Sequence, residues 1–281
     1  MLTIQTNVAA LYGEQNLNVN HNFQQTTIER LTSGYRINSS ADDAAGLAIA
    51  NGLRSERTEL SQGIQNANNA VSQLQIIDGG LGNISQILDR LKTLAVQGAS
   101  STFTGSSATL VNEMTKDVAE INRQAANIGL KTGGQNVKAL SIYLGGGLGN
   151  NGLQIGTATE SVDLSSGTVD QTGLGLTTVA TLATTATAGD FQSAIANIAA
   201  AVATLGTVQG TVGAGINQLN FAVGLAQSQV TNYAADESGI RDADMATEAS
   251  NLSKSQVLVQ SSIAAMAQAN QIPQAVLKLL Q

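Results

Sequence analysis

From Phe191 to Ala235 the chain runs 45 residues without a charged side chain, and its apolar residues recur in strict steps of four and three. Phe191, Ile195, Ile198, Val202, Leu205, Gln209, Val212, Ile216, Leu219, Val223, Ala226, Val230 and Tyr233 form that series. A repeat of this kind keeps one stripe of a long helix turned toward a partner helix. At about 1.5 Å per residue such a helix is about 68 Å long, too long for the interior of a compact globule. The stretch therefore predicts a rod of paired helices. An uncharged run also invites a membrane reading. Here Gln192, Asn197, Thr204, Gln209, Asn217, Gln218, Asn220, Gln227 and Asn232 interrupt it throughout, and no membrane contact is expected.

Partners for that helix are visible elsewhere. Leu60, Ile64, Ala67, Val71 and Leu74 step by four and three. After one short step, Ile77, Leu81, Ile84, Leu88, Leu91 and Ala95 continue the pattern as far as Gly98. Asp42 or Asp43 is placed to cap the start. Gly79, Gly80 and Gly82 each weaken the middle by about 1 kcal/mol relative to Ala, and read as points of close helix approach rather than a kink. A shorter helix, Thr109 to Ile128, carries Leu110, Met114, Val118 and Ile121 on one face. Near the C-terminus, Met245, Ala249, Leu252, Gln256, Val259, Ile263, Met266, Asn270, Pro273, Leu277 and Leu280 form a third series. Pro273 should kink it or begin a new turn. Ile4, Val8 and Leu11 are a weaker N-terminal match. Neither end has a visible partner in the body of the chain, so they are expected to pair with each other or with neighbouring copies.

A different material separates the helical halves. Residues 131–189 are rich in Gly, Thr, Ser and Ala. Leu140–Leu144 and Leu153–Ile155, joined through Gly- and Asn-rich residues, read as a β-hairpin. Leu174–Ala188 reads as a strand with loop. No Lys or Arg occurs between Ala139 and Ile240, whereas Glu160, Asp163, Asp170, Asp190, Asp236 and Glu237 do. The expected fold class is mainly α: a long-helix coiled-coil rod with paired terminal helices and a small insertion containing a hairpin.

Composition excludes several chemistries. With no Cys there is no disulfide, thiolate metal site or cysteine nucleophile. One His, His21, excludes a multi-histidine metal site and disfavours His-dependent catalysis. A net charge of −7 argues against nucleic-acid binding. No cofactor and no enzymatic activity are expected. The first 13 residues lack the basic start and long apolar run of a cleavable signal.

From Arg30 to Glu56 the chain reads RLTSGYRINSSADDAAGLAIANGLRSE. This closely resembles the hallmark of bacterial flagellins, RLSSG-x-RINSA-x-DDAAGLAIA. The last stretch, from Ile240 to Gln281, resembles the C-terminal pattern of the same family, including A-x-A-N-Q-x-P-Q-x-V-L-x-L-L. Leu88–Gln97 (LDRLKTLAVQ) and Asn151–Gly156 (NGLQIG) are also similar to flagellin segments. The likeness covers about 180 residues at the two ends.

The resemblance implies a subunit exported unfolded, folding at the tip of a growing filament and polymerising into the helical tube that drives swimming. Implied locations and partners are the extracellular flagellar filament, further copies of the chain, an export chaperone, and the cap and hook-junction proteins. Residues 1–41 and 242–281 would form an inner terminal coiled coil with a spoke loop. Residues 42–138 and 190–241 would form the helical rod, and 139–189 an outward-facing insertion. Implied spoke and subunit contacts are Arg30, Leu31, Arg36, Ile37, Asn38, Asp42 and Asp43. Terminal coil packing falls to Ile4, Val8, Leu11, Leu252, Val259, Ile263, Met266, Leu277 and Leu280.

Leu88, Arg90 and Leu94, with Glu113, match the segment by which some flagellins are recognised by a Toll-like innate receptor of animals. The rival reading is a solvated helix face. Two positions depart from the family: Gln218 and Gly239 stand where many members carry Arg, and the charge contacts those arginines serve are lost here. Asp242 and Asp244 read as first-turn helix charges rather than catalytic acids. A hook–filament junction protein or a secreted adhesin are the alternative functions.

Overall fold

The structure, a computed structural model, describes residues 7–103, 105–145 and 159–279, with side chains as far as residue 271. It is mainly α. In chain order the elements are α1 (Val8–Ser33), α2 (Ala44–Ala99), α3 (Ser107–Asn127), β1 (Ala139–Tyr143), β2 (Thr159–Asp163), α4 (Thr177–Ala180), α5 (Ala188–Arg241) and α6 (Met245–Leu279). The chain divides into two compact units, Met1–Ser55 with Asn232–Gln281, and Glu56–Thr231.

The Glu56–Thr231 unit contains one apolar core to which α2, α3, α5 and the segments after α3 all contribute. The 4-3 repeat is present, but several of its positions differ from those the apolar residues suggest. On α2 the inward positions are Leu60, Gly63, Ala67, Ala70, Leu74, Ile77, Leu81, Ile84, Leu88, Leu91 and Ala95. This series has no short step. Gly63 and Ala70 replace Ile64 and Val71, which are half-buried beside it. On α5 the buried set is Phe191, Ala194, Ile198, Ala201, Leu205, Val208, Val212, Gly215, Leu219 and Ala226. Ile195 and Ile216 border it, and Val202 is exposed.

The physical reason is close approach. A Cβ placed on Gly63 would lie 1.8 Å from the Leu144 carbonyl oxygen, and one on Gly215 would lie 2.6 Å from Val162 Cγ1. Small residues are needed where another backbone or a β-branched side chain presses on the helix. The larger neighbour, one position on, packs at the margin instead. Of the three central glycines only Gly80 is such a point, with Ile128 Cγ2 2.2 Å from an added Cβ; Gly79 and Gly82 face open space. The helix continues through all three.

α3 buries Leu110, Met114, Val118 and Ile121, the face expected of it. β1 falls where the hairpin reading puts its first strand, but its antiparallel partner is β2, with Leu140 opposite Val162 and Ile142 opposite Glu160. The expected second strand, Leu153–Ile155, lies outside the described residues, as does Asn151–Gly156. β2 reads TESVD, with Val162 its only large apolar residue, and so carries almost no apolar signal. Leu174–Ala188 forms no strand; it holds the single-turn α4, and Leu174, Leu176 and Val179 are buried. Asp170 is also buried, accepting from the Gly173 N–H at 2.8 Å and the Thr132 N–H at 3.2 Å.

By length and composition α5 could cross a membrane. Its apolar stripe from Phe191 to Leu219 belongs to the apolar core of the Glu56–Thr231 unit.

Candidate assembly site

In the unit formed by the two ends, α1 pairs with α6. The inward positions of α1 are Ala10, Gly13, Leu17, Asn20, Gln24, Thr27 and Leu31, spaced by three and four; only Thr27 is fully buried. On α6 they are Glu248, Leu252, Ser255, Val259, Ser262, Met266 and Ala269. A 4-3 repeat is again satisfied, largely by small and polar residues. Met266 Cγ lies 2.6 Å from where a Cβ on Gly13 would stand, so the two helices approach closely there. Polar contacts fix the register. Asn20 Nδ2 donates to Ser262 Oγ at 3.0 Å, and Arg30 Nη1 approaches Glu248 Oε1 at 3.4 Å with the Glu248 side chain almost wholly buried.

Leu252, Val259 and Met266 of the expected packing set therefore sit on the α6 side of the pairing. Val8, Leu11 and Ile263 do not; they lie outside it and are exposed, Leu11 at 62%. Ile4, Leu280 and the side chain of Leu277 lie outside the described residues. The outer faces carry further apolar side chains: Tyr12 (65% exposed), Val19 and Ile28 on α1, and Val257 (65%) on α6.

The loop between α1 and α2 begins at Gly34, whose φ of 75° ends α1 in the left-handed conformation that glycine adopts without strain. The loop is then stitched to the segment before α6. Gly34 accepts from the Ala243 N–H at 2.9 Å, and the Arg36 N–H donates to the Arg241 carbonyl at 2.7 Å. Arg36 Nη2 donates to the Ile240 carbonyl at 2.7 Å. The Arg241 guanidinium carbon sits 4.1 Å from the centre of the Tyr35 ring, a cation–π contact. Ile37 is buried and Leu31 half-buried, while Arg36 is exposed. Asp42 Oδ2 accepts from the N–H groups of Asn38 and Ser39 and from the Ser39 hydroxyl. Those bonds, the Ser39 N–H foremost, hold its carboxyl below the usual aspartate range. Asp43 caps α2 through Gly46 N at 2.8 Å. Asn38 donates from Nδ2 to the Tyr35 carbonyl at 3.3 Å.

The expected receptor-facing set is split by depth. Leu88 is 0% exposed and Leu94 is buried, both in the core of the Glu56–Thr231 unit, so neither offers surface. Above them Arg90 pairs with Glu113, and its Nε lies 3.6 Å from Asp117 Oδ2. Burial, opposed by Arg90, pushes the Asp117 carboxyl upward. Gln218 donates to Glu160 Oε2 at 2.9 Å, so an amide serves one carboxylate there. Gly239 has open space around it. Asp244 caps α6 by accepting from Ala246 N at 3.0 Å and the Thr247 hydroxyl at 2.8 Å. Asp242 accepts from the Ser238 hydroxyl at 2.6 Å. His21 is exposed. Among the described residues no group of three His, Cys, Asp or Glu is placed to hold a metal ion.

Sequence reasoning missed Asn7, Thr27, Glu248 and Ser255 because they are polar. The 4-3 spacing, rather than hydrophobicity, would have found Thr27, Glu248 and Ser255, and Asn7 is identifiable by residue type as an N-cap before α1.

A paired-end helical chain with a stitched loop and apolar outer faces is the architecture of a self-assembling structural subunit. Residues 4–137 match the bacterial flagellin N-terminal helical region, and residues 194–280 match the bacterial flagellin C-terminal helical region. The chain is 32% identical to a flagellin of Halalkalibacterium halodurans over 99% of its own length and 100% of that protein's. It is 30% identical to a flagellin of Listeria monocytogenes over 99% of both. A crystal structure of Bacillus cereus flagellin aligns over 57% of this chain and 88% of its own, at 23% identity and a TM-score of 0.45. The chain belongs to the bacterial flagellins, structural subunits of the flagellar filament, and is a short form whose whole length is matched by its relatives. The family implies an extracellular filament built by self-polymerisation. Neither the junction-protein nor the adhesin alternative finds support in these matches.

Proposed function

We propose that this flagellin is exported unfolded and that its ends become ordered when a subunit docks at the filament tip. In this reading residues 1–41 and 242–281 form the inner coil around the channel. Residues 42–138 and 190–241 form the surrounding rod, and 139–189 face outward. Its role is structural, with no catalytic step.

The observation that carries the reading is the chemistry of the α1–α6 pair. Its seam is largely small and polar, while Leu11, Tyr12, Val19 and Val257 remain exposed. An apolar side chain of this size gains about 1.5–3 kcal/mol on full burial, so copies that cover these residues gain stability the isolated pair lacks. Ordering is then coupled to assembly. The loop from Arg30 to Asp43, bearing Arg36 on its surface, is the proposed spoke.

Electron microscopy of purified protein tests this. Wild-type chain added to sheared filament seeds should give long tubes of uniform diameter. Deleting about 30 residues from either end should abolish growth and leave the rod helical. Normal growth from such truncations would refute the coupled-ordering account.

Finer partners belong to the same proposal: an export chaperone for the unassembled chain, and cap and hook-junction proteins at the filament's ends. An animal Toll-like receptor would meet the exposed Arg90–Glu113 pair, with Leu88 and Leu94 acting only as its support. Equal receptor-reporter activity for wild type and Arg90→Ala would remove that contact.

A further inference from the structure

Asn7 makes a contact with α6 that the helix itself requires. Pro273 lies within α6, which is helical to Leu279. Proline has no backbone N–H, so it cannot donate to the carbonyl four residues earlier. That carbonyl belongs to Ala269, which is thereby deprived of its i+4 donor. Asn7 Nδ2 donates to the Ala269 carbonyl oxygen at 2.9 Å. The same amide nitrogen lies 3.4 Å from Asn270 Oδ1. At its other end, Asn7 Oδ1 accepts from the Ala10 N–H at 3.2 Å and caps α1.

One side chain thus satisfies a donor at the start of α1 that has no helical partner and an acceptor in α6 that proline deprives of its i+4 donor. Each helix has a backbone group that it cannot satisfy alone in this region. Leaving a buried or half-buried polar group without a partner is costlier than the modest net gain from an ordinary hydrogen bond. Sliding either helix by one residue would break the contact that joins the two groups. Around them the seam is mostly small, with Met266 against Gly13 its large apolar contact, so directional bonds carry much of the register.

We infer that Asn7 is the register-setting residue of the terminal pair, and that Pro273 makes it so by freeing the Ala269 carbonyl. The pair is a lock: α6 with a proline at this point is complete only when the first turn of α1 is seated beside it in one register. Proline is here a device that makes ordering of the C-terminal helix depend on the N-terminal one. This rests on the reading of α1 and α6 as the elements that order on assembly.

The test is a double-mutant cycle in the full-length chain: wild type, Asn7→Ser, Pro273→Ala and both together. Serine retains an acceptor for the α1 cap but has no amide to reach Ala269. The Pro273→Ala change restores the missing N–H. The readouts are the critical monomer concentration for elongating wild-type seeds and the dissociation temperature of the resulting filaments. With Pro273 present, Asn7→Ser should raise the critical concentration about three- to tenfold, the loss of one partly buried hydrogen bond. In the Pro273→Ala background the same change should have little effect. A chain with Asn7→Ser that fails to elongate at all, and is rescued by Pro273→Ala, supports the lock equally. An equal effect of Asn7→Ser in both backgrounds assigns Asn7 to capping alone and overturns the inference, as does no effect with Pro273 present. If wild type itself cannot elongate seeds, the assembly reading fails. Amide-exchange protection of α1 and α6 in the unassembled chains then reads the same cycle.

Discussion

The Arg36 guanidinium and the Ile240 carbonyl meet at 2.7 Å across 204 residues of sequence. The adjacent backbone bond from Arg36 N to the Arg241 carbonyl is also 2.7 Å. Replacing the side chain therefore removes one fastener and leaves the backbone bonds Arg36 N–H to Arg241 and Ala243 N–H to Gly34 in place. Arg36→Ala should cost about 1 kcal/mol, because the lost hydrogen bond is exposed to solvent and its acceptor can turn to water. Amide exchange at Arg36 and Ala243 should accelerate while the rod amides stay unchanged. Unchanged exchange in the loop would show that the backbone bonds alone hold it.

Glycines in the same helix should respond with opposite signs. A Cβ on Gly63 would meet the Leu144 backbone at 1.8 Å, and backbone cannot rotate away. Gly63→Ala is expected to destabilise the rod by about 1–3 kcal/mol through overpacking. Gly79 and Gly82 have nothing within 4 Å of an added Cβ. There the change to Ala should stabilise by about 0.5–1 kcal/mol, since it restricts the unfolded chain and favours the helix. Thermal unfolding followed by circular dichroism ranks the three variants. A lower midpoint for Gly79→Ala than for wild type would contradict the placement.

These glycines also show what the sequence made legible. The period of the repeat, the mainly α class and the inward face of α3 followed from apolar spacing, and an aspartate cap was recognisable at Asp42 or Asp43, of which Asp43 makes the bond to Gly46 N. Which of two adjacent residues occupied each second seam position did not follow. Apolar scoring selects Ile64, Val71 and Ile195, whereas close packing selects Gly63, Ala70 and Ala194. The same one-residue difference recurs on α6, where Ser255 and Ser262 lie inward of Gln256 and Ile263. β2 and the Asn7 contact were hidden for a related reason. Both depend on polar residues whose partners, Ala139–Tyr143 and Ala269, are distant in sequence.

Arg30 and Glu248 form an ion pair at the inside of the terminal coil, with side-chain exposures of 30% and 9%. Removing only the arginine strands a buried carboxylate whose remaining side-chain partner is Asn251 Nδ2 at 3.5 Å. Arg30→Ala should destabilise by about 1–2 kcal/mol, below the full cost of breaking a buried pair because Arg30 is partly solvated. Adding Glu248→Gln should recover part of that loss, since the amide carries no charge. Filament dissociation temperatures for the single and double variants provide the measurement, and a double variant weaker than Arg30→Ala would refute the stranded-charge account.

Acid should release the loop and two helix starts together. Asp42 accepts from the Ser39 and Asn38 N–H groups, Asp190 from the N–H and hydroxyl of Thr187, and Asp244 from the Thr247 hydroxyl with the amides of Ala246 and Thr247. Each set of bonds favours the ionised carboxylate, so each folded-state pKa lies below the ordinary value of 3.8. The unfolded chain binds protons first as pH falls. The stabilisation is therefore complete above 3.8 and is lost progressively as pH drops through the lower folded-state values. Asp42→Asn keeps an oxygen acceptor without the charge, so the variant should be less stable than wild type at neutral pH. The difference should shrink to nothing in strong acid, where Asp42 is itself neutral. Thermal midpoints measured across that range supply the check, and a gap between the two chains that stays constant with pH would exclude ionised Asp42 as the loop's fastener.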